Sequence, residues 1–373
     1  MLPYGRQSVS EDDVQAVAEV LRGDWLTTGP TVTAFEEAIG QLAGGHRAVS
    51  CTSGTAALHM AYAGAGVGAG DEVVTTPMTF VATASGASLL GAKVHFADVE
   101  ADTGLIDPTA VDALVNERTK IIAAVDYTGH TADYAALQPI ADRVGALTLA
   151  DAAHSIGGTV DGRPVGDLAD LTTFSFFPTK NMTTTEGGAV VAKDPAIAQR
   201  VHEFHTIGMV RDANRFKHPD QGAWWYEVHE LGVNYRLSDV ACALGLSQLQ
   251  RLKLFKQRRT EIWQRYNAAL ADVDGVRIPV QRDGVDPVWH FYGIRVLDGR
   301  RREVFEKMRE RGIGVQVCYI PVYWHPAYAD NGYQRGMCPN AEAFYAEQLS
   351  LPLYPDLTDA QVDQVIETLQ EIL

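Results

Sequence analysis

A single lysine in a loop rich in hydroxyl side chains is the residue of this sequence best suited to covalent chemistry. Lys180 follows an apolar run that ends at Phe176, and Pro178 and a Thr- and Gly-rich stretch flank it. Burial in such a loop would lower the pKa of the amine and make it nucleophilic. Considered by itself, the position is equally typical of a solvated surface lysine, which is the commoner case.

Two polar positions upstream indicate what such a lysine would act on. Asp151 closes the apolar run 147–150, at the strand end where α/β proteins place ligands, and its carboxylate could keep a ring nitrogen protonated. Ser53-Gly54-Thr55 stands between a strand pattern and a helix pattern, where free backbone N–H groups can hold a phosphate. A loop aspartate and an ordinary N-cap are the alternatives. Together, the cradle, the carboxylate and the lysine form the layout of a pyridoxal phosphate enzyme.

The elements that must position these residues alternate between strands and helices. Short apolar runs predict strands covered on both faces, and the helices between them predict crossovers and a largely parallel sheet. The predicted strands are Ala48–Cys51, Glu72–Thr76, Val94–Ala97, Ile121–Tyr127, Ala146–Asp151, Leu171–Phe176 and Gly188–Ala192. The predicted helices include Thr55–Gly64, Val81–Leu90, Tyr134–Arg143 and Ile197–His205.

The pattern changes after a long helix that is predicted from about Leu237 to Leu270. We predict an N-terminal segment and large cofactor-binding domain over residues 1–250, and a small C-terminal domain over residues 251–373. The elements predicted for this second part are the strands Trp289–Val296 and Val315–Tyr319 and the helices Arg302–Arg311, Asn340–Leu349 and Asp359–Leu373.

Charge and cysteine content limit the classes of function. The 373-residue chain has a formal net charge of −16, which disfavours binding to nucleic acid or to an anionic membrane, so neither partner is predicted. None of the four cysteines lies in a CxxC pair, so no metal site and no disulfide framework is predicted. Isolated cysteines and the lack of a secretory leader predict a cytoplasmic protein.

With these residues in view, the chain resembles the DegT-type sugar aminotransferases, a fold type I pyridoxal phosphate family, over nearly its whole length. The resemblance implies an α/β fold, in which a large domain with a mostly parallel central sheet is joined to a smaller C-terminal α/β domain. The motifs that carry it are Trp25-Leu26-Thr27-Thr28-Gly29-Pro30, Ser53-Gly54-Thr55, Pro77-Met78-Thr79-Phe80, Asp151-Ala152-Ala153-His154, the Lys180 loop, Gly232-Val233-Asn234-Tyr235-Arg236-Leu237-Ser238-Asp239 and Tyr319-Ile320-Pro321.

Within that family, the chain is most similar to the aminotransferases of the pseudaminic acid pathway, which act on a UDP-linked 4-keto-6-deoxy-N-acetyl hexose. The finer match rests on segments such as Tyr4-Gly5-Arg6-Gln7, Val125-Asp126-Tyr127-Thr128-Gly129-His130 and Trp225-Tyr226-Glu227. Two positions depart from the family pattern. Phe177 stands at a position where the family usually has His. Cys318 stands at a position where the family often has His. Neither change affects the lysine chemistry, but both bear on sugar specificity.

The resemblance implies a role for each candidate residue at the cofactor. Lys180 would form the Schiff base with pyridoxal 5'-phosphate and act as general base, and Asp151 would keep the pyridine nitrogen protonated. Pyridoxamine 5'-phosphate would be the intermediate form of the cofactor. The other contacts would be Ser53, Gly54, Thr55 and Ser175 at the phosphate, Phe80 on the ring face, His154 near the ring hydroxyl and Asn234 from the neighbouring subunit. A core phenylalanine and a structural histidine remain alternatives for Phe80 and His154.

The resemblance also implies where the substrate binds. The sugar nucleotide pocket would be lined by Tyr4, Trp25, Leu26, Thr27 and Tyr319, with Tyr323 and His325 as further candidates on its rim. Arg236 would meet a carboxylate or phosphate, and Arg6 is a second basic candidate; an ordinary surface ion pair is the alternative for Arg236. Because the family builds its sites at a subunit interface, a homodimer with shared active sites is implied.

The implied reaction moves the amino group of L-glutamate to carbon 4 of a nucleotide-linked 4-keto-6-deoxy sugar that is UDP-linked and N-acetylated. One alternative is an aminotransferase of antibiotic biosynthesis that acts at carbon 3 or on a carbocyclic ketone. Another is a sugar dehydratase on the same scaffold, in which His replaces the lysine, and Lys180 argues against it. A pyridoxal phosphate-binding regulator would usually need a fused DNA-binding domain, for which this acidic chain leaves no room.

Overall fold

Short apolar runs in the first half of the chain form the strands of one large sheet. The computed structural model describes residues 1–219 and 221–373. Within these residues the strands β1 to β15 are, in chain order, Arg47–Cys51, Glu72–Thr75, Lys93–Phe96, Thr119–Val125, Leu147–Asp151, Thr159–Val160, Arg163–Pro164, Leu171–Ser175, Gly188–Ala192, Met209–Val210, Glu227–Val228, Val276–Arg277, Val285–Asp286, Tyr292–Val296 and Gln348–Leu351.

Seven of these strands form the central sheet, in the order β1-β9-β8-β5-β4-β2-β3. Strand β9 runs antiparallel to both of its neighbours, and the other pairs are parallel. Asp151 at the end of β5 lies opposite Thr173 of β8, so the carboxyl ends of these two strands adjoin. The mostly parallel sheet predicted from the sequence is confirmed, and its predicted strands match the observed bounds to within two residues.

Helices cover the sheet and supply the long connections that parallel strands need. Over the described ranges 1–219 and 221–373, the helices α1 to α12 are Glu11–Arg22, Pro30–Leu42, Gly54–Gly64, Ala82–Ser88, Pro108–Asp112, Tyr134–Val144, Pro195–His205, Asp239–Leu270, Arg301–Glu310, Pro326–Ala329, Pro339–Glu347 and Asp359–Ile372. In this part of the chain, no helix is both long enough and apolar enough to cross a membrane.

Helix α8 connects the central sheet to a second, smaller sheet with the order β12-β14-β15. The C-terminal core contains side chains such as Tyr266, Trp289 and Val365. Segment 318–344 packs instead on the core of the central sheet, for example through Val322 and Phe344. The domain boundary predicted after residue 250 falls inside α8, and the division into two domains stays a prediction.

One predicted element of the C-terminal part is wrong, and another ends two residues earlier than predicted. Segment Val315–Tyr319 forms an isolated bridge from Gln316 to Ser350 and not a strand, because the Cys318 N–H is taken by the side-chain oxygen of Gln348 at 2.8 Å. The helix predicted over Asn340–Leu349 ends at Glu347, and residues Gln348–Leu351 form β15. This segment is buried and pairs with β14, so sheet pairing determines its conformation.

Candidate active site

Lys180 lies in a closed loop between β8 and β9. The Phe176 N–H donates to the Gly187 carbonyl at 2.9 Å, and the Lys180 N–H donates to the Phe177 carbonyl at 2.9 Å. The side chain of Asn181 ties the loop to the Val288 carbonyl at 3.1 Å and to the carbonyl of His154. Burial lowers the pKa of Lys180 to about 8, although the nearby Asp151 carboxylate opposes the shift. A larger share of the amine is therefore neutral and nucleophilic than for an exposed lysine.

Asp151 presents a buried carboxylate beside this lysine. Its side chain accepts a hydrogen bond from the Thr83 hydroxyl at 2.6 Å and from the Ala153 N–H at 3.3 Å. Burial raises the pKa of Asp151, while the hydrogen bonds and the charge of Lys180 oppose that rise. A second hydroxyl, that of Thr79, lies 2.6 Å from the Thr83 hydroxyl. The carboxylate is thus fixed in place and suited to hold a protonated ring nitrogen.

Aromatic rings surround the space next to Asp151. Nε2 of His154 lies 3.2 Å from the Tyr319 hydroxyl, and the ring of His154 stacks on His290 with centroids 4.3 Å apart. Phe80 leaves 58% of its surface exposed and lies 6.2 Å from the Tyr319 ring, measured between centroids. Burial lowers the pKa of His154 well below its usual range, and the charge of Lys180 adds to that effect. His154 is therefore a neutral imidazole.

The turn before α3 is the candidate phosphate cradle, and it also forms an ordinary N-cap. The Ser53 hydroxyl caps the helix by accepting from the Ala56 N–H at 3.1 Å, and Thr55 is exposed in the first turn. Gly54 packs directly on Ser175, because a Cβ added at Gly54 would lie 2.7 Å from the Ser175 Cβ. The side chains of Ser53 and Ser175 therefore both lie at the helix N-terminus, which is a position that favours an anion.

These residues fit pyridoxal phosphate. The buried carboxylate of Asp151 suits the ring nitrogen, and the amine of Lys180, with its lowered pKa, suits the aldehyde. The N-terminus of α3 suits the phosphate. The exposed ring of Phe80 leaves an apolar face uncovered beside them. The structure thus brings together Lys180, Asp151, His154, Phe80 and Tyr319, and it places Ser53, Gly54, Thr55 and Ser175 at the carboxyl edge of the same sheet.

A second group of predicted residues lies around the start of α8, and its segment 234–236 adjoins the turn before α3, where the Thr52 N–H donates to the Tyr235 carbonyl at 2.9 Å. Trp25, Leu26 and Thr27 are exposed and run beside the start of α8, where Thr27 bridges to Ser238. Asn234 is exposed and bridges to Thr206. Arg236 lines a cleft of about 620 Å³ together with Thr28, His202 and Arg211. Among the described residues, no hydrogen bond or ion pair joins the predicted members of this group to Lys180 or Asp151.

Three other predicted positions are placed as follows. The Tyr4 hydroxyl lies 3.7 Å from the Cys318 sulfur, next to Tyr319, so Tyr4 borders the Lys180 cluster. Tyr323 is buried against Phe96 and donates to Glu342 at 2.6 Å, which directs its hydroxyl into the protein and not to the rim. Phe177 is half-exposed at the entrance to the Lys180 loop, and Cys318 is buried.

Sequence reasoning missed three residues that support the site. They are Thr83, which holds Asp151; Asn181, which anchors the Lys180 loop; and His290, which stacks on His154. Asn181 is adjacent to the lysine in sequence, and that proximity was the available signal. Thr83 and His290 lie on other elements and become recognisable only when the fold brings them to the site.

Comparison with known proteins agrees with this geometry. A sequence model of the DegT/DnrJ/EryC1/StrS aminotransferase family matches residues 7–370. The spore coat polysaccharide biosynthesis protein SpsC of Bacillus subtilis is 38% identical over 379 residues, which cover all of this chain and 97% of SpsC.

Solved structures extend the comparison to the fold. The putative sugar aminotransferase Spr1654 of Streptococcus pneumoniae, in its PMP-form, matches with a TM-score of 0.94 and 28% identity over 100% of this chain and 99% of that one. PseC of Helicobacter pylori, an aminotransferase involved in the biosynthesis of pseudoaminic acid, matches with a TM-score of 0.93 and 30% identity over 100% and 98%. This chain belongs to the DegT/DnrJ/EryC1/StrS aminotransferase family and is a pyridoxal phosphate-dependent sugar aminotransferase of fold type I.

Proposed function

We propose that this enzyme transfers the amino group of L-glutamate to carbon 4 of a UDP-linked 4-keto-6-deoxy-N-acetyl hexose. The observation that carries the proposal is the similarity to PseC, which spans the whole chain. The motifs around Tyr4, Tyr127 and Tyr226 support the same substrate class. We also propose a cytoplasmic location, because Cys51, Cys242, Cys318 and Cys338 are free thiols.

Lys180 is the proposed general base. When bound, pyridoxal phosphate supplies an electron-accepting ring and the carbon that carries the amino group between the two substrates. With the cofactor bound, the Nζ of Lys180 would take the proton from the substrate carbon and give it up again, and accepting a proton requires a neutral amine. Burial provides that form at moderate pH by lowering the pKa of Lys180 to about 8.

The other residues of the cluster are proposed to hold and orient the cofactor and the sugar. Asp151 would keep the ring nitrogen of the bound cofactor protonated, and Thr83 fixes the carboxylate that does so. Ser53, Gly54, Thr55 and Ser175 would bind its phosphate at the start of α3. Phe80 would cover one face of its ring, and His154, which lies 3.2 Å from the Tyr319 hydroxyl, would lie near the ring hydroxyl. Tyr4 and Tyr319 border the sugar.

We propose that the exposed group at the start of α8 completes the site of a second subunit. Asn234 would reach the partner's phosphate, while Trp25, Leu26, Thr27 and Arg236 would contact the sugar nucleotide bound there. Their exposure in a single chain supports this role, because residues that serve only their own subunit's site would be expected to face it. We therefore predict that the enzyme is an obligate homodimer.

Mixing two inactive variants tests the shared site. Lys180→Ala removes the base, and Asn234→Ala removes the residue donated to the partner. In a hybrid dimer, one of the two sites keeps both wild-type residues, so mixing should restore turnover after subunit exchange. Failure of the mixture to regain activity, or full activity of a monomer at low concentration, would contradict shared sites.

The substrate is tested with a panel of nucleotide sugars. Purified enzyme is incubated with L-glutamate and either 4-keto or 3-keto sugars, UDP-linked or dTDP-linked, and the products are analysed by mass spectrometry. Amination of the UDP-linked 4-keto-6-deoxy-N-acetyl hexose alone is the expected result. Exclusive amination of a 3-keto sugar would exclude the assignment to carbon 4 and would leave the aminotransferase chemistry intact.

A further inference from the structure

A narrow cleft beside the active site has an unusual charge for this protein. It lies between the N-terminal segment, the Lys180 loop and α8, and its lining includes Arg6, Lys180 and Arg259. Among its lining residues, all of them in the described part of the chain, no side chain is an aspartate or glutamate. A cleft lined by three basic residues is notable in a chain whose net charge is −16.

Arg259 is the unusual member of this group. Its side chain is 1% exposed, and its Nη1 donates to the carbonyl oxygens of Trp289, His290 and Leu353 at 3.2, 3.0 and 2.9 Å. Its Nε has no hydrogen-bond partner, and no carboxylate of the described residues forms an ion pair with it. Buried charges in proteins are ordinarily paired, because leaving water costs an ion several kcal/mol.

The charges around the cleft do not compensate Arg259. The carboxylate of Asp13 lies behind the wall, where it accepts from the Gln248 amide at 2.7 Å and forms an ion pair with Arg251. Tyr4 also faces Arg259, and burial raises the pKa of its hydroxyl, so the phenol stays neutral. The cavity volume of about 10 Å³ limits the occupant to a single small group, such as a water molecule or a monatomic ion.

We propose that this cleft binds a small monovalent anion, of the size of chloride, between Arg6 and Arg259. Such an ion would supply the missing negative charge and a partner for the orphaned guanidinium N–H of Arg259. The volume excludes a diphosphate, so this site is distinct from the one that would hold the nucleotide. A carboxylate head group shares the required charge, and the experiment separates it from a free halide. The inference does not depend on the identity of the sugar.

Thermal unfolding of the holoenzyme at constant ionic strength tests the proposal. Chloride replaces gluconate, which is too large for the cleft, and the unfolding midpoint should rise to a plateau. Arg6→Ala should raise the half-saturating chloride concentration by roughly tenfold or more, since it removes one charge-assisted contact. Arg259→Gln should abolish the response, and Arg277→Ala, at an exposed position outside the cleft, should leave it unchanged.

Two further measurements locate the ion and identify its source. A bromide-soaked crystal should show an anomalous peak between Arg6 and Arg259. Acetate, and glutarate as a mimic of the donor without its amino group, should fail to reproduce the chloride response if the ion is a free halide. Stabilisation by glutarate but not by chloride would overturn the halide assignment. Equal unfolding midpoints in chloride and gluconate would exclude an anion site in this cleft. A wild-type chloride response in Arg6→Ala would exclude it as well. If Arg259→Gln does not fold, the result for Arg6→Ala tests the proposal by itself.

Discussion

The hydrogen bond from Thr83 to Asp151 predicts a measurable shift in the pH dependence of cofactor binding. Thr83→Val keeps the volume of the side chain and removes the hydroxyl, which lies 2.6 Å from the carboxylate oxygen. A hydrogen bond to a charged group contributes about 1.5–3 kcal/mol, which corresponds to roughly ten- to a hundredfold in an equilibrium constant. Since the hydroxyl stabilises the ionised carboxylate, its loss should raise the pKa of Asp151 beyond the rise that burial already causes.

The consequence can be read from the acid limb of the binding profile. Asp151 must be ionised to hold a protonated ring nitrogen, so a higher pKa moves the loss of cofactor affinity to higher pH. Titration of the cofactor-free protein with pyridoxal phosphate, followed by fluorescence across the acidic range, should show the acid limb of Thr83→Val displaced to higher pH. On that limb, the affinity of the variant should be roughly ten- to a hundredfold below that of the wild type.

Two matched variants separate this effect from a general weakening of the fold. Thr83→Ser keeps the hydroxyl and should retain the wild-type profile. Thr79→Val removes a hydroxyl that lies 2.6 Å from the Thr83 hydroxyl without making a hydrogen bond to Asp151, and it should shift the limb much less. If the profiles of Thr83→Val and the wild type coincide, the hydrogen bond does not control the ionisation of Asp151 and the reasoning is refuted.

The remaining predictions concern the lysine and the phosphate cradle. Lys180→Ala should abolish multiple turnover while leaving the circular dichroism spectrum unchanged; normal turnover would exclude Lys180 as the base. Cofactor uptake by the cofactor-free protein should accelerate as the pH rises through about 8, because only the neutral amine attacks the aldehyde, and a flat stopped-flow profile would contradict this. Gly54→Ala should weaken cofactor binding, because its Cβ would lie 2.7 Å from the Ser175 Cβ. Gly68→Ala, where a Cβ meets nothing within 4 Å, is the control, and equal dissociation constants for the two variants would remove the steric argument.

The part of the site that lies on strand ends could be predicted from the sequence. Asp151 closes one apolar run, the run before Lys180 ends at Phe176, and parallel strands bring their carboxyl ends to one edge of the sheet. The lysine loop follows the second of these strands directly. Motifs that follow successive strands therefore lie close together in the fold. This proximity could be predicted without knowing how the side chains pack.

Elements whose conformation depends on distant partners could not be predicted. The pattern predicts Gln348 and Leu349 as the end of a helix, yet they begin a strand because Tyr292–Arg295 offers its backbone groups for pairing. The same limit applies to Val315–Tyr319, where the side chain of Gln348 takes the backbone N–H that a strand would need. In both cases the deciding interaction spans tens of residues, and local pattern carries no trace of it.

Among the residues around the lysine, some could likewise be recognised from the sequence and others only from the fold. The residue types and sequence positions of Lys180 and Asp151, the groups proposed to react, indicate a function. The groups that influence their ionisation cannot be recognised in this way. Thr83 is one threonine among many in the sequence, and His290 is a histidine between two aromatic residues. Their importance arises because the fold places one hydroxyl on a carboxylate and one ring against His154. Substitution of these supporting groups should therefore change the ionisation of the reacting pair while Lys180 and Asp151 themselves are kept.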